Sequence, residues 1–142
     1  MIDMLDMTDQ QLNRALGEFM GYRLKTLEFD DIYYSVVNPH GLPGPYRYTA
    51  DEAFLCTVPE YCADPAASLE VQAAAIKAND RQYAINLAKR LEWDGDDLEY
   101  SDNDVFSYTG VTVFMLSSPR QRAEAAYMTL SSKDLHPLRE DI

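Results

Sequence analysis

Ser118-Pro119-Arg120-Gln121-Arg122 joins the residues of a helix start to two guanidinium groups, a combination suited to holding an anion. The free N–H groups and dipole of a helix N-terminus favour negative charge. Arg120 and Arg122 would add planar donors matched to phosphate or carboxylate oxygens. The competing reading is that both arginines pair with the chain's own carboxylates, as surface charges commonly do. A second group, Tyr46-Arg47-Tyr48, has the aromatic and cationic character to cover a base and its phosphate, although exposed tyrosines beside Pro-Gly turns often have no such role.

Both groups depend on the elements that hold them. Ser118 fits an N-cap, Pro119 the first helical position, and Gln121 completes a capping box. Ala123, Ala126, Tyr127 and Leu130 follow at helical spacing and are expected to pin that helix to a sheet. Val111–Leu116, uncharged and rich in β-branched residues, reads as a central strand covered on both faces. Nearer the start, Thr8 and Gln11 form another capping box ahead of Leu12, Ala15, Leu16, Phe19 and Met20, with Gly21 placed to end the helix. Leu24–Val37 suggests one or two strands broken at Asp30-Asp31. Residues 38–45 contain three prolines and two glycines and must form a surface loop. Thr49-Ala50-Asp51-Glu52 starts a short helical turn that ends before Pro59. Asp64-Pro65 starts a longer helix with Leu69, Ala73 and Ile76 on one face, closed at Asn79-Asp80.

Residues 82–92 fit two patterns. Tyr83, Leu87 and Leu91 have helical spacing, while Tyr83, Ile85 and Leu87 alternate as in a strand. Propensity favours the helix; the need of Val111–Leu116 for a neighbour favours the strand. An acidic connection from Trp93 to Asp104 follows, opened by the turn signal Asp94-Gly95. It does not fit a calcium loop, because Glu99 stands where glycine is required and Val105 where a bidentate glutamate is required.

The totals bound the function. Twelve basic against twenty-four acidic residues give a formal charge of -12, which argues against general nucleic-acid binding and against adhesion to an anionic membrane. Any anion site must therefore be local. Cys56 and Cys62 read as reduced thiols, and with only His40 and His136 beside them a zinc site is not expected. The acidic N-terminus is unlike a signal peptide, and no apolar run reaches membrane-spanning length. The 142 residues suggest one α+β domain over 1–130 and a tail or partner-reaching arm over 131–142. No glycine-rich phosphate loop, nucleophile elbow or metal triad is present, so a non-enzymatic role with no cofactor is expected.

Three pieces carry a resemblance: Leu12-Asn13-Arg14-Ala15-Leu16-Gly17-Glu18-Phe19-Met20-Gly21-Tyr22, Tyr61-Cys62-Ala63-Asp64-Pro65-Ala66-Ala67, and Ser118-Pro119-Arg120-Gln121-Arg122-Ala123-Glu124-Ala125-Ala126. In this order they resemble the phage α-β-α sandwich domain family. The resemblance implies an α-β-α sandwich-like single domain, an antiparallel sheet with helices packed on it, and a strand over 82–92. Proteins similar to this family, the phage Thoeris anti-defence sponges, hold cyclic ADP-ribose isomers without cleaving them, and related members sequester cyclic oligonucleotides as hexamers. The implied roles are phosphate contact for Arg120, base stacking for Trp93 and a ligand hydrogen bond for Asn103. Glu124 departs from the pattern, standing where such sponges can show a second arginine, which Arg122 would have to replace.

The expected ligand site thus comprises Arg120, Trp93, Asn103, Arg122 and Ser118, with Tyr46, Arg47 and Tyr48 as secondary candidates. The expected function is sequestration of a nucleotide immune signal by a homo-oligomer, dimer to hexamer, in the cytoplasm of an infected bacterium. The alternative is an acidic phage protein that inhibits a basic host protein by imitating nucleic acid.

Overall fold

Thr8 starts the first helix by the reciprocal bonding its sequence implies. Its hydroxyl accepts from Gln11 N at 3.1 Å, and Gln11 Oε1 accepts from Thr8 N at 2.9 Å. In the computed structural model, which describes residues 6–91 and 108–134, this helix α1 spans Asp9–Met20 and ends at Gly21 with φ 106°. Only glycine adopts that left-handed conformation without strain. Leu12 and Leu16 are fully buried one turn apart. Gly17 beside them is required by packing, since a Cβ there would lie 2.8 Å from Val58 Cγ1.

Strands β1 (Arg23–Glu28) and β2 (Ile32–Val37) pair antiparallel, with Arg23 opposite Val37 and Glu28 opposite Ile32. The break falls at Phe29-Asp30-Asp31, as the paired aspartates suggest. On the other edge of β2 the proline-rich loop returns and makes two isolated bridges, Val37 to Pro43 and Tyr34 to Arg47. Helix α2 (Ala50–Thr57), capped by the Thr49 hydroxyl, packs on this small sheet and buries Ala53 and Phe54. The fold is therefore α+β, with a two-stranded antiparallel sheet and helical packing on it.

The described residues divide into two compact units after Glu60. The second is helical. Asp64 caps α3 (Pro65–Arg90) by accepting from Ala66 N at 3.0 Å, with Pro65 in the first turn. Asn79 does break this helix, with extended dihedrals of φ -165° and ψ 93°. Its side chain then accepts from Gln82 N at 3.1 Å and restarts the helix at once. Residues 82–90 are therefore helical, and the strand expected there does not form. Propensity was the sounder guide, because Ala84, Ala88, Lys89 and Arg90 are all good helix formers.

The expected strand Val111–Leu116 is overturned with it. Tyr108–Met115 is helix α4, closed by Leu116 N donating to Thr112 O at 3.1 Å and Ser117 N to Phe114 O at 3.2 Å. With 82–90 helical, no strand neighbours this segment among the described residues. Nor is it covered on both faces, since Met115 and Leu116 are 75% and 84% exposed.

Helix α5 (Pro119–Asp134) packs along α3, not on a sheet. Ala123, Ala125 and Ala126 meet a face of α3 that buries Ala67, Ser68, Val71 and Ala75. Small side chains let the two helices approach closely. Leu69 and Ile76, which share one helix face with Ala73, are exposed. A polar relay crosses this contact: Asn86 Nδ2 donates to Thr129 Oγ1 at 3.0 Å, and Thr129 Oγ1 donates to Ala125 O at 2.8 Å. The reading of 131–142 as a tail begins inside α5, which continues to Asp134. Trp93, Asn103, the acidic connection around them and the residues after 134 lie outside the described residues.

Candidate functional site

The turn at Ser118 has the geometry of a full capping box. Ser118 Oγ accepts from Gln121 N at 3.1 Å, and Gln121 Oε1 accepts from Ser118 N at 2.8 Å. Ser118→Ala removes one half of that exchange. We expect a loss of about 1 kcal/mol of stability, read as a lowered melting temperature.

Arg120 and Arg122 share this turn but have different surroundings. Arg120 Nε donates to Glu124 Oε2 at 2.9 Å, one helical turn on. Arg120 Nη1 lies 3.9 Å from the sulfur of Cys62, a buried thiol. Glu124 also reaches Arg90 at the end of α3, with 3.9 Å between Oε1 and Nη1. Among the described residues, two guanidiniums thus flank one carboxylate. The three side chains are partly or largely buried, where charges are screened less than in open water. Arg90 Nε is buried with no hydrogen-bond partner among the described residues.

Arg122 is buried in the packing of α5 on α3. It is 8% exposed, and its Nε donates to Ser68 Oγ at 2.9 Å. Its Nη1 donates to the Ser117 carbonyl and, at 3.4 Å, to the Ser117 hydroxyl. The reading that both arginines pair with carboxylates holds for Arg120 and fails for Arg122, which bonds neutral oxygens. Arg122 therefore does not stand beside Arg120 as a second exposed cation, the substitution that Glu124 would have required.

Near Arg122, the Tyr83 hydroxyl donates to Gln72 Oε1 at 2.9 Å. Burial raises the Tyr83 phenol well above its ordinary value, and the Arg122 charge offsets only part of that. The folded state then holds the phenolic proton more tightly than the unfolded chain does. Its contribution to stability is complete below about pH 10 and falls as pH rises past that unfolded value. Denaturant unfolding at stepped alkaline pH should show a smaller loss of stability for Tyr83→Phe than for the unsubstituted protein.

Ser118, Arg120 and Arg122 are together on one turn of the second unit. Tyr46, Arg47 and Tyr48 belong to the first. Arg47 N and O both bond Tyr34 at 2.8 Å, and Arg47 Nη1 donates to Tyr46 O at 3.0 Å. Tyr48 is 67% exposed, yet its ring lies 5.3 Å from that of Tyr33 in an aromatic cluster with Phe29. Arg90 was missed in the sequence. Its signal was its position in the last turn of a helix, three residues before Trp93.

No protein-family model, curated protein or solved structure matches this chain.

Proposed function

We propose that this protein binds a small phosphorylated nucleotide at the Arg90–Glu124–Arg120 cluster and sequesters it without turnover. The observation that carries this reading is the convergence of two guanidiniums, Arg90 and Arg120, on Glu124 within a chain of formal charge -12. Glu124 holds Arg120 through Nε, so an incoming phosphate meets a guanidinium already oriented, which lowers the entropic cost of binding. The capped start of α5 adds a favourable dipole on the same turn. Arg90 brings its charge from the end of α3, and Trp93, three residues further along the chain, is the aromatic candidate for stacking on a base.

The resemblance to the phage α-β-α sandwich family supplies the class of ligand: a cyclic ADP-ribose isomer or cyclic oligonucleotide used as an immune signal. The protein would then act in an infected bacterium as an anti-defence sponge, assembled as a homo-oligomer. No described helix is long and apolar enough to cross a membrane. To test sequestration, the protein is incubated for hours with cyclic ADP-ribose isomers and cyclic dinucleotides, heat-denatured, and the ligand recovered for mass spectrometry. Recovery of a retained ligand at unchanged mass is expected. A linearised or dephosphorylated product would make the protein an enzyme and overturn the reading.

A further inference from the structure

A groove of about 560 Å³ runs along the second unit between α3 and α4. Its walls include Leu69, Ile76, Leu87, Val111, Phe114 and Met115. Val111 and Met115, read from the sequence as part of a covered strand, are open to solvent in the fold. Leu69 is 49% exposed and Ile76 43%. The volume lies within the usual range for small-molecule sites, which are mostly apolar with a few placed polar groups.

Arg122 also lines this groove. Its exposure is 8%, and among the described residues its hydrogen bonds use Nε and Nη1 and end on Ser68 and Ser117 oxygens. No carboxylate pairs with it among the described residues. A buried guanidinium that lacks a counter-charge is costly to the fold, and an anion bound beside it would recover part of that cost. Asp80, also on the groove, carries the opposite charge. It would repel a second negative group, which disfavours a polyphosphate and leaves room for a single one.

We propose that this groove binds a small amphipathic acid, an apolar body bearing one carboxylate, with Arg122 as the counter-charge. With Arg122 Nε and Nη1 engaged by Ser68 and Ser117 among the described residues, Nη2 is the nitrogen left for one carboxylate oxygen, and the Tyr83 and Gln72 side chains sit on the same groove as further polar contacts. The aliphatic and aromatic walls take the apolar body. This site shares no residue with the Arg90–Glu124–Arg120 cluster, so it stands or falls apart from the nucleotide reading.

The test uses the full chain and two probes of equal length, octanoate and octan-1-ol, titrated by calorimetry with heteronuclear shift mapping. Octanoate should bind about tenfold or more tightly than octanol, the ratio expected for one charge-assisted hydrogen bond. Shifts should centre on Leu87, Phe114 and Arg122. Arg122→Gln should bring the two affinities together. Because that variant removes buried bonds and can fail to fold, Ile76→Asp at an exposed wall provides a second check and should weaken octanoate more than octanol. Equal affinity for the two probes in the unsubstituted protein, or binding of neither, would overturn the proposal. So would self-association of the unsubstituted protein that Ile76→Asp abolishes, since the groove would then be a contact between copies of the chain.

Discussion

Leu16→Ala should destabilise the protein by about 2–5 kcal/mol, the range for removing a large aliphatic side chain from a site that collapses poorly. Leu16 is fully buried on the same face of α1 as Leu12. Gly17 beside it already lets Val58 approach as closely as the backbone allows, so there is little slack to fill the void. Urea unfolding measures the loss directly. Leu55→Ala serves as the control, because Leu55 is exposed and its truncation should change stability by no more than about 0.5 kcal/mol. A Leu16→Ala effect as small as that of the control would mean that the first unit does not draw its stability from the α1 face.

Arg120→Ala should weaken nucleotide binding by about 1.5–3 kcal/mol, the value of a hydrogen bond to a charged partner. The loss has two sources. One is the missing guanidinium, and the other is electrostatic, since removing Arg120 takes one of the two described cations away from Glu124. The lost pair involves a Glu124 side chain only 12% exposed, so the variant should lose some stability as well as affinity. The substitution is therefore read by calorimetric titration alongside a melting curve. A folded Arg120→Ala protein with unaltered affinity would remove Arg120 from the site.

Helix boundaries were the most legible part of this chain because capping is a local affair. Thr8, Gly21, Thr49, Asp64 and Ser118 each act within a few residues of themselves, and each does in the structure what its neighbours in sequence imply. The β1–β2 hairpin was legible for the same reason, its aspartates marking the turn. Apolar runs were not. A short uncharged segment such as Val111–Leu116 carries no periodicity that separates a strand from a helix. Its lack of charge and its β-branched residues point to a strand there, that strand's need for a neighbour favours another at 82–92, and both fail together. Asn79 deepened the error, since a residue that ends one helix can cap the next.

The buried face of α3 is not the one that its largest aliphatic residues, Leu69 and Ile76, mark out. The structure buries the smaller residues Ala67, Ser68, Val71 and Ala75, which permit close approach to α5. At the candidate site, Arg120 and its helix start were visible in the sequence. The pairing with Glu124 follows from i,i+4 spacing and was open to inspection. The part played by Arg90 depends on α3 meeting α5, a long-range contact that no local pattern encodes. The burial of Arg122 depends on the same contact.

The central claim is that the Arg90–Glu124–Arg120 cluster holds a phosphorylated nucleotide. Calorimetric titration of the unsubstituted protein and of Arg120→Ala with cyclic ADP-ribose isomers and cyclic dinucleotides tests it most directly. The account predicts saturable binding of at least one of these by the unsubstituted protein and a loss of about tenfold or more in the variant. Absence of binding across the panel, or equal binding by both proteins, would contradict it.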